Sequence, residues 1–206
     1  MVNNSNLSFD KIAFIGFASS GKDTCANYLV KHYNYTKISF ADKLKEIIAS
    51  VYGIDKSLFD NESFKSSIGP GGHTWRHYLQ YIGTEGFRYL YSNTWVDTAL
   101  RDIQNKHLTK VVISDLRFPN EFLALKQAGF TIVFINRTST IPSWITELTN
   151  IFGYNKLSQS IIKLSNPKLG HDSEFSMFKL KPKADLIIDN NNDLNSLYYQ
   201  LNLLLK

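Results

Sequence analysis

Residues 11–24 read Lys11-Ile12-Ala13-Phe14-Ile15-Gly16-Phe17-Ala18-Ser19-Ser20-Gly21-Lys22-Asp23-Thr24, a short apolar run followed by a glycine-bounded loop that ends on a lysine. Ile12 to Ile15 have the length and character of a buried strand. Gly16 and Gly21 permit backbone angles that side chains forbid, so successive N–H groups can turn inward on one anion. An amphipathic helix is predicted from Lys22 to Tyr33, and its N-terminal end adds positive potential at the same place. Strand before and helix after are the context that separates a phosphate-binding loop from a chance Gly-x4-Gly-Lys match. Lys22 supplies a mobile charge for the outer phosphates.

The position after the lysine departs from the common pattern. Asp23 stands where a serine or threonine usually holds Mg²⁺, with Thr24 one place later. A carboxylate beside a polyphosphate is repelled unless a metal lies between them, so Asp23 reaches Mg²⁺ directly or through water. Its alternative is a favourable acid in the first turn of a helix. Both readings stay open here.

Outward from the loop, apolar runs alternate with helical periodicity. Tyr35–Phe40 reads as a second strand, and Leu44, Ile47, Ile48 and Val51 predict a helix over 42–52. Residues 53–73 read as a loop or flexible insertion, with Gly69-Pro70-Gly71-Gly72 as the breaker. Two helical stretches follow, 74–91 and 94–106, interrupted near Gly83. Lys110–Ser114 is a third strand. Pro119 opens a helix that closes at Gly129, Thr131–Asn136 is a fourth strand and Leu186–Ile188 a fifth. Asp193 caps a last helix built on Leu194, Leu197, Tyr198 and Leu201. Within 138–183, Ile141 to Phe152 have helical spacing, while Pro167, Gly170 and Pro182 break up the remainder. Such alternation predicts a single α/β domain over 1–206, a doubly wound parallel five-stranded sheet with helices on both faces.

The composition is that of an ordinary globular chain of 206 residues with net charge +5, which suits polyanionic ligands of any size and does not single out DNA. No apolar run has the length of a membrane span, the first ten residues are too polar for a signal peptide, and the one cysteine, Cys25, fits a reducing compartment. Arginine is used sparingly: Arg76, Arg88, Arg101, Arg117 and Arg137 are the five, and lysine carries the remaining positive charge. The rigid guanidinium fork recognises phosphate bidentately, which lysine cannot imitate, so most of the five are expected on phosphate or on an acid of the site.

Three further clusters stand out. Val111-Val112-Ile113-Ser114-Asp115 delivers a carboxylate to the C-terminal edge of a buried strand, where such folds bind ligands, and Arg117 and Glu121 follow closely. Asp115 would orient Mg²⁺ or fix Arg117; Glu121 would serve the site or complement a helix dipole. Gly83-Thr84-Glu85 with Arg88 and Trp95 offers a close approach, a hydroxyl and a flat face for a base, although a tryptophan at helical spacing also suits a core. His171-Asp172-Ser173-Glu174 looks like a catalytic dyad, but no nucleophile elbow accompanies it, and the five histidines lack zinc spacing.

Taken in order, these residues resemble a family. Gly16…Ser20-Gly21-Lys22-Asp23-Thr24, Phe40-Ala41-Asp42-Lys43-Leu44-Lys45, Gly83-Thr84-Glu85 with Arg76 and Trp95, Asp115-Leu116-Arg117-Phe118-Pro119-Asn120-Glu121, Arg137, His171-Asp172-Ser173-Glu174 and Asn190 are similar to the motifs of the bacteriophage deoxynucleoside monophosphate kinases. The resemblance runs from residue 11 to the C-terminus and is least familiar over 53–73 and 138–170. It implies a P-loop NTPase fold with an acceptor-binding helical region over 41–106 and a lid-like insertion over 138–183. By position, Ser20, Gly21, Lys22, Asp23 and Thr24 would hold ATP, with Asn190 near the adenine and Asp23, Thr24 and Asp115 at Mg²⁺. Phe40, Ala41, Lys45, Arg76, Gly83, Thr84, Trp95, Asp115, Arg117 and Glu121 would face the acceptor. The catalytic groups would be Lys22, Arg76, Arg88, Arg117 and Arg137, the last at the root of the lid. No arginine follows Arg137, so basic lid contacts would come from Lys156, Lys163 or Lys168.

The implied reaction moves the γ-phosphate of ATP to a deoxynucleoside monophosphate. It needs positioning and cations, not a strong base, because the acceptor phosphate is already anionic. Small-molecule substrates, no membrane and no nucleic-acid partner are expected, in the cytoplasm (the host's, for a phage protein), with a homodimer as one option. Two rivals remain. One keeps the fold and changes the acceptor to a modified nucleotide, a base within DNA or a phosphomevalonate-type compound, since phosphomevalonate-type kinases also carry Ser-Gly-Lys-Asp. The other is a non-enzymatic nucleotide-binding module, for which the apolar face Ile141–Phe152 would bind a partner.

Overall fold

In the computed structural model, which describes residues 8–166, 169–170 and 172–205, strand β1 (Lys11–Ile15) runs through the middle of a five-stranded sheet and is buried from Ile12 to Ile15. Its apolar run is continuous because both faces of the strand are covered. Helix α1 (Lys22–Tyr33) follows the loop, then β2 (Thr36–Ile38), and after a long excursion β3 (Val111–Ile113), helix α6 (Pro119–Gln127), β4 (Thr131–Asn136), β5 (Leu186–Asp189) and α10 (Leu194–Leu204). The spatial order is β2-β3-β1-β4-β5. Pairing is parallel between β1 and β3, β1 and β4, and β4 and β5, in register Ile12 with Val112 and Thr131, and Phe134 with Ile187.

Strand alternation sends neighbouring side chains to opposite faces. Ile12, Phe14, Val112, Val133, Ile135 and Ile188 meet Cys25, Ala26 and Leu29 of α1 and Leu197 and Leu201 of α10 in one core. On the other face Phe134 lies edge-on to Phe17, and Phe17 edge-on to Phe178 of helix α9 (Asp172–Leu180). The doubly wound sheet with helices on both faces is therefore the observed architecture. Between β4 and α9, helices α7 (Ser143–Phe152) and α8 (Lys156–Ser165) pair and bury Ile145 and Ile162.

The residues fall into two compact units, one comprising the described residues up to Lys37 and from Leu108 onward, the other Ile38–His107. This second unit is helical: α2 (Ala41–Tyr52), α3 (Glu62–Ser66), α4 (Trp75–Gln80), a π-helical stretch Tyr81–Arg88, and α5 (Thr94–Asn105). Strand β2 ends sooner than predicted because Asp42 reaches back to accept from Ser39 N at 3.1 Å, turning the chain into α2. The predicted loop over 53–73 is a packed segment. Asp55 and Asn61 cap short helical turns, accepting from Ser57 N at 2.7 Å and Ser63 N at 2.8 Å. Phe59 is fully buried against Phe64 and Trp75, and Phe64 stacks on Trp75 at 5.6 Å. These aromatic contacts follow no 3.6-residue period, which is why periodicity misses them. The α-helical pattern breaks off at Gln80, and Gly83 sits inside the π-helical stretch that follows. No helix among the described residues is long and apolar enough to cross a membrane.

Candidate active site

Beyond β1 the backbone turns through Gly16 (φ 153°), Ser19 (φ 61°) and Gly21 (φ 105°), the conformations an inward-facing amide cradle requires. Glycine is needed on packing grounds too. A Cβ at Gly16 would lie 2.6 Å from the Ile135 carbonyl oxygen, and one at Gly21 would lie 2.5 Å from the Asn190 amide nitrogen. The loop is fastened from two sides: Asn190 Nδ2 donates to Ser20 O at 2.8 Å and Arg137 Nη1 donates to Ser19 O at 3.3 Å. Lys22 folds back over it, its Nζ donating to Gly16 O at 2.8 Å and Phe17 O at 2.7 Å. Burial, with the Arg117 charge adding to it, lowers the Lys22 amine to about 8.

A cleft of about 420 Å³ opens above the loop, lined by Ser19, Gly21, Lys22, Asp23, Thr24, Arg137, Asn190, Asn192, Asp193 and Leu194. The structure thus gathers Gly21, Lys22, Asp23, Thr24, Arg137 and Asn190 in one place, and Ser20 lies buried beneath them. Asn190 is buried and spends its amide on the loop. Asp193, which caps α10 through Ser196 N at 2.9 Å, and Asn192 also line the cleft, roles that a capping signal conceals.

Asp23 is held by groups that no sequence spacing advertised. Lys37 Nζ lies 2.8 Å and Ser114 Oγ 2.7 Å from its Oδ1. Burial pushes the Asp23 carboxyl up, but the bonds from Lys37 and Ser114 and the Lys37 and Lys22 charges outweigh it, leaving the group below its ordinary value. Asp115 sits partly buried just past β3. The carboxylate of Asp23 and the hydroxyl of Thr24 are hard oxygen donors in the same cleft, fitting a Mg²⁺ that keeps water and takes phosphate oxygens as ligands. Among the described residues no three His, Cys, Asp or Glu cluster as a self-sufficient metal site. Cys25 is buried and its thiol pushed up to about 12, so it stays an inert apolar filler.

Arg117 and Glu121 lie at the start of α6. Glu121 is buried, and its Oε2 accepts from Arg117 N at 2.9 Å and Phe118 N at 3.0 Å. This is the helix-terminus role that the sequence left open for Glu121: its carboxylate accepts from the first amides of α6 and sets the backbone that carries Arg117. Glu174, passed over with the rejected dyad, matters more. It is buried in the first turn of α9, accepts from Ala18 N of the loop at 2.8 Å and lies 3.8 Å from Arg117 Nη1. His171 and Lys168 lie outside the described residues.

Within the helical unit, Phe40 is buried at the head of α2, with Ala41 behind it. Lys45 pairs with Asp60 at 2.7 Å and Arg76 with Glu62 at 2.5 Å. Arg88 and Thr84 lie on the π-helical stretch, a geometry frequent at functional sites. Trp95 is a core residue: it is buried, packs edge-on to Phe87 at 5.2 Å, and donates from Nε1 to Gly83 O at 2.9 Å. This is the core role that its helical spacing also suited. The close approach that Gly83 allows is by Leu44, whose Cδ2 would lie 2.7 Å from a Cβ there.

No protein-family model matches the chain. A curated protein of Acanthamoeba polyphaga mimivirus, named "Putative deoxynucleotide monophosphate kinase", is 32% identical over 165 residues, covering 70% of this chain and 84% of the relative. Among solved structures, the dephospho-CoA kinase of Campylobacter jejuni aligns over 95% of both chains at 14% identity with a TM-score of 0.52, and shikimate kinase of Aquifex aeolicus over the same share at 21% and 0.48. The likeness to the dephospho-CoA kinase shows the α/β P-loop fold.

Proposed function

The chain belongs to the deoxynucleotide monophosphate kinase family, and on that premise we propose that it transfers the γ-phosphate of ATP to a deoxynucleoside 5′-monophosphate. The observation that carries this reading is the convergence of Lys22, Arg137 and the turned loop amides on one cleft, with Arg117 close enough to Lys22 to lower its pKa. Loop amides from Ser19 to Thr24 cradle the phosphates of ATP, and Arg137 lines the outer side. Lys22 leaves the Gly16 and Phe17 carbonyls to meet the transferred phosphate, where a second cation, Arg117, spreads its charge. Asp23 and Thr24 would hold Mg²⁺, directly or through water, and the metal when bound neutralises phosphate oxygens. Asp115 would orient that shell from the end of β3. The base end of ATP lies toward Asn190 and Asn192.

The helical unit offers Lys45, Arg76, Thr84 and Arg88 to the acceptor; the first two already sit in ion pairs that fix their side chains. The acceptor needs no general base, since its phosphate is ionised at neutral pH. A coupled ADP-release assay with ATP, Mg²⁺ and each of dAMP, dCMP, dGMP, dTMP and dUMP tests this. Turnover with at least one acceptor, abolished by Lys22→Ala, is the expected result. Silence with all five, in protein that binds ATP, would refute the acceptor and turn the search to modified nucleotides, DNA and mevalonate-type phosphates.

A further inference from the structure

One carboxylate does two things at the mouth of the loop. Glu174 Oε2 takes the Ala18 amide at 2.8 Å while Oε1 faces the Arg117 guanidinium at 3.8 Å. The two partners come from distant stretches of chain, and Glu174 itself is only 8% exposed. Arg117 is otherwise half in solvent, its side chain 52% exposed. A free arginine there would swing away, both for entropy and because Lys22 repels it. Mutual influence between these groups is visible on Lys22, whose amine Arg117 pushes down and Glu174 pushes up. A buried carboxylate between two cations offsets that repulsion and gives the guanidinium a preferred direction.

We propose that Glu174 is a positioning residue, its carboxylate anchoring Arg117 over the phosphate loop so that the guanidinium meets the transferred phosphate; this rests on the kinase reading above. Glu174 acts through Arg117 and touches neither nucleotide.

Glu174→Gln keeps an oxygen for Ala18 and removes the charge that holds Arg117. The expected result is a fall in kcat of about tenfold or more with KM for ATP within about threefold, the signature of an interaction made in the transition state. Glu174→Asp keeps the charge and should retain more kcat than Glu174→Gln; a residue serving the loop amide alone would give the reverse order. In an Arg117→Ala background Glu174→Gln should cost nothing further, and losses that multiply would overturn the proposal. A second readout needs no nucleotide: rotation of the Arg117 guanidinium, followed by NMR, should be slow in the wild-type protein and fast in Glu174→Gln. Fast rotation in the wild-type protein would overturn the proposal even where neither variant folds. If the wild-type protein phosphorylates no deoxynucleotide, the acceptor reading fails by itself, and the guanidinium measurement still decides the case for Glu174.

Discussion

Raising the pH should weaken nucleotide binding over a range in which ATP itself no longer titrates. In the nucleotide-free loop Lys22 titrates at about 8 against an ordinary 10.5, chiefly through burial, with Arg117 adding and Glu174, Asp23 and Cys25 opposing. That lowering corresponds to roughly 3 kcal/mol at about 1.4 kcal/mol per pH unit. The sign follows from proton counts: between about 8 and 10.5 the folded protein binds fewer protons than the unfolded chain, so Lys22 makes stability rise with pH there, and the full cost is present below about 8. A phosphate at Lys22 favours the charged amine, so ATP binding draws in a proton wherever the free amine is neutral. Uptake should be about half a proton per ATP at pH ~8 and ~0.9 at pH ~9, and affinity should fall roughly tenfold between pH ~7 and ~9. Isothermal titration in two buffers of different ionisation heat counts the protons. Lys22→Met should bind weakly and take up none. Flat affinity across this range, with no proton uptake by the wild-type protein, would refute the account of Lys22 as an amine neutralised by burial.

Three substitutions probe the scaffold. Gly16→Ala drives a Cβ to 2.6 Å from the Ile135 carbonyl at a φ of 153°, and should destabilise by about 1–3 kcal/mol in denaturant titration. Trp95→Phe strands the Gly83 carbonyl and should cost about 1–2 kcal/mol, while a base-stacking Trp95 would instead show its loss in acceptor KM with stability unchanged. Glu121→Ala leaves the Arg117 and Phe118 amides without their carboxylate and should lower stability by about 2–3 kcal/mol, a loss that Glu121→Gln should largely restore.

The centre of the sheet was legible in the chain because its middle strands are buried on both faces: Ile12–Ile15 and Ile132–Ile135 read as continuous apolar runs whatever surrounds them. The loop was legible because Gly16, Gly21 and Lys22 are adjacent, and local geometry needs no tertiary information. What escaped is long-range. Ser114 and Lys37 meet Asp23 only after β2 and β3 are laid beside β1, and Glu174 reaches Ala18 across 156 positions. No spacing rule relates such residues. Gly83 and Trp95 stayed open in the sequence for a different reason, since each suits a ligand or a tight helix contact equally on spacing alone; the structure packs Leu44 against Gly83 and ends the Trp95 Nε1 bond on the Gly83 carbonyl.

Strands β2 and β3 are neighbours, and Thr36 N donates to Lys110 O at 2.8 Å, so the chain departs for residues 38–107 and comes back at adjoining points of one sheet edge. An excursion with its two ends side by side is a cassette. It can be lengthened, shortened or exchanged for another without re-registering a single strand, as grafts at closely spaced termini generally are tolerated. Selection, or an engineer, can therefore replace that block whole, while the loop, Lys22 and the order of the sheet are inherited intact.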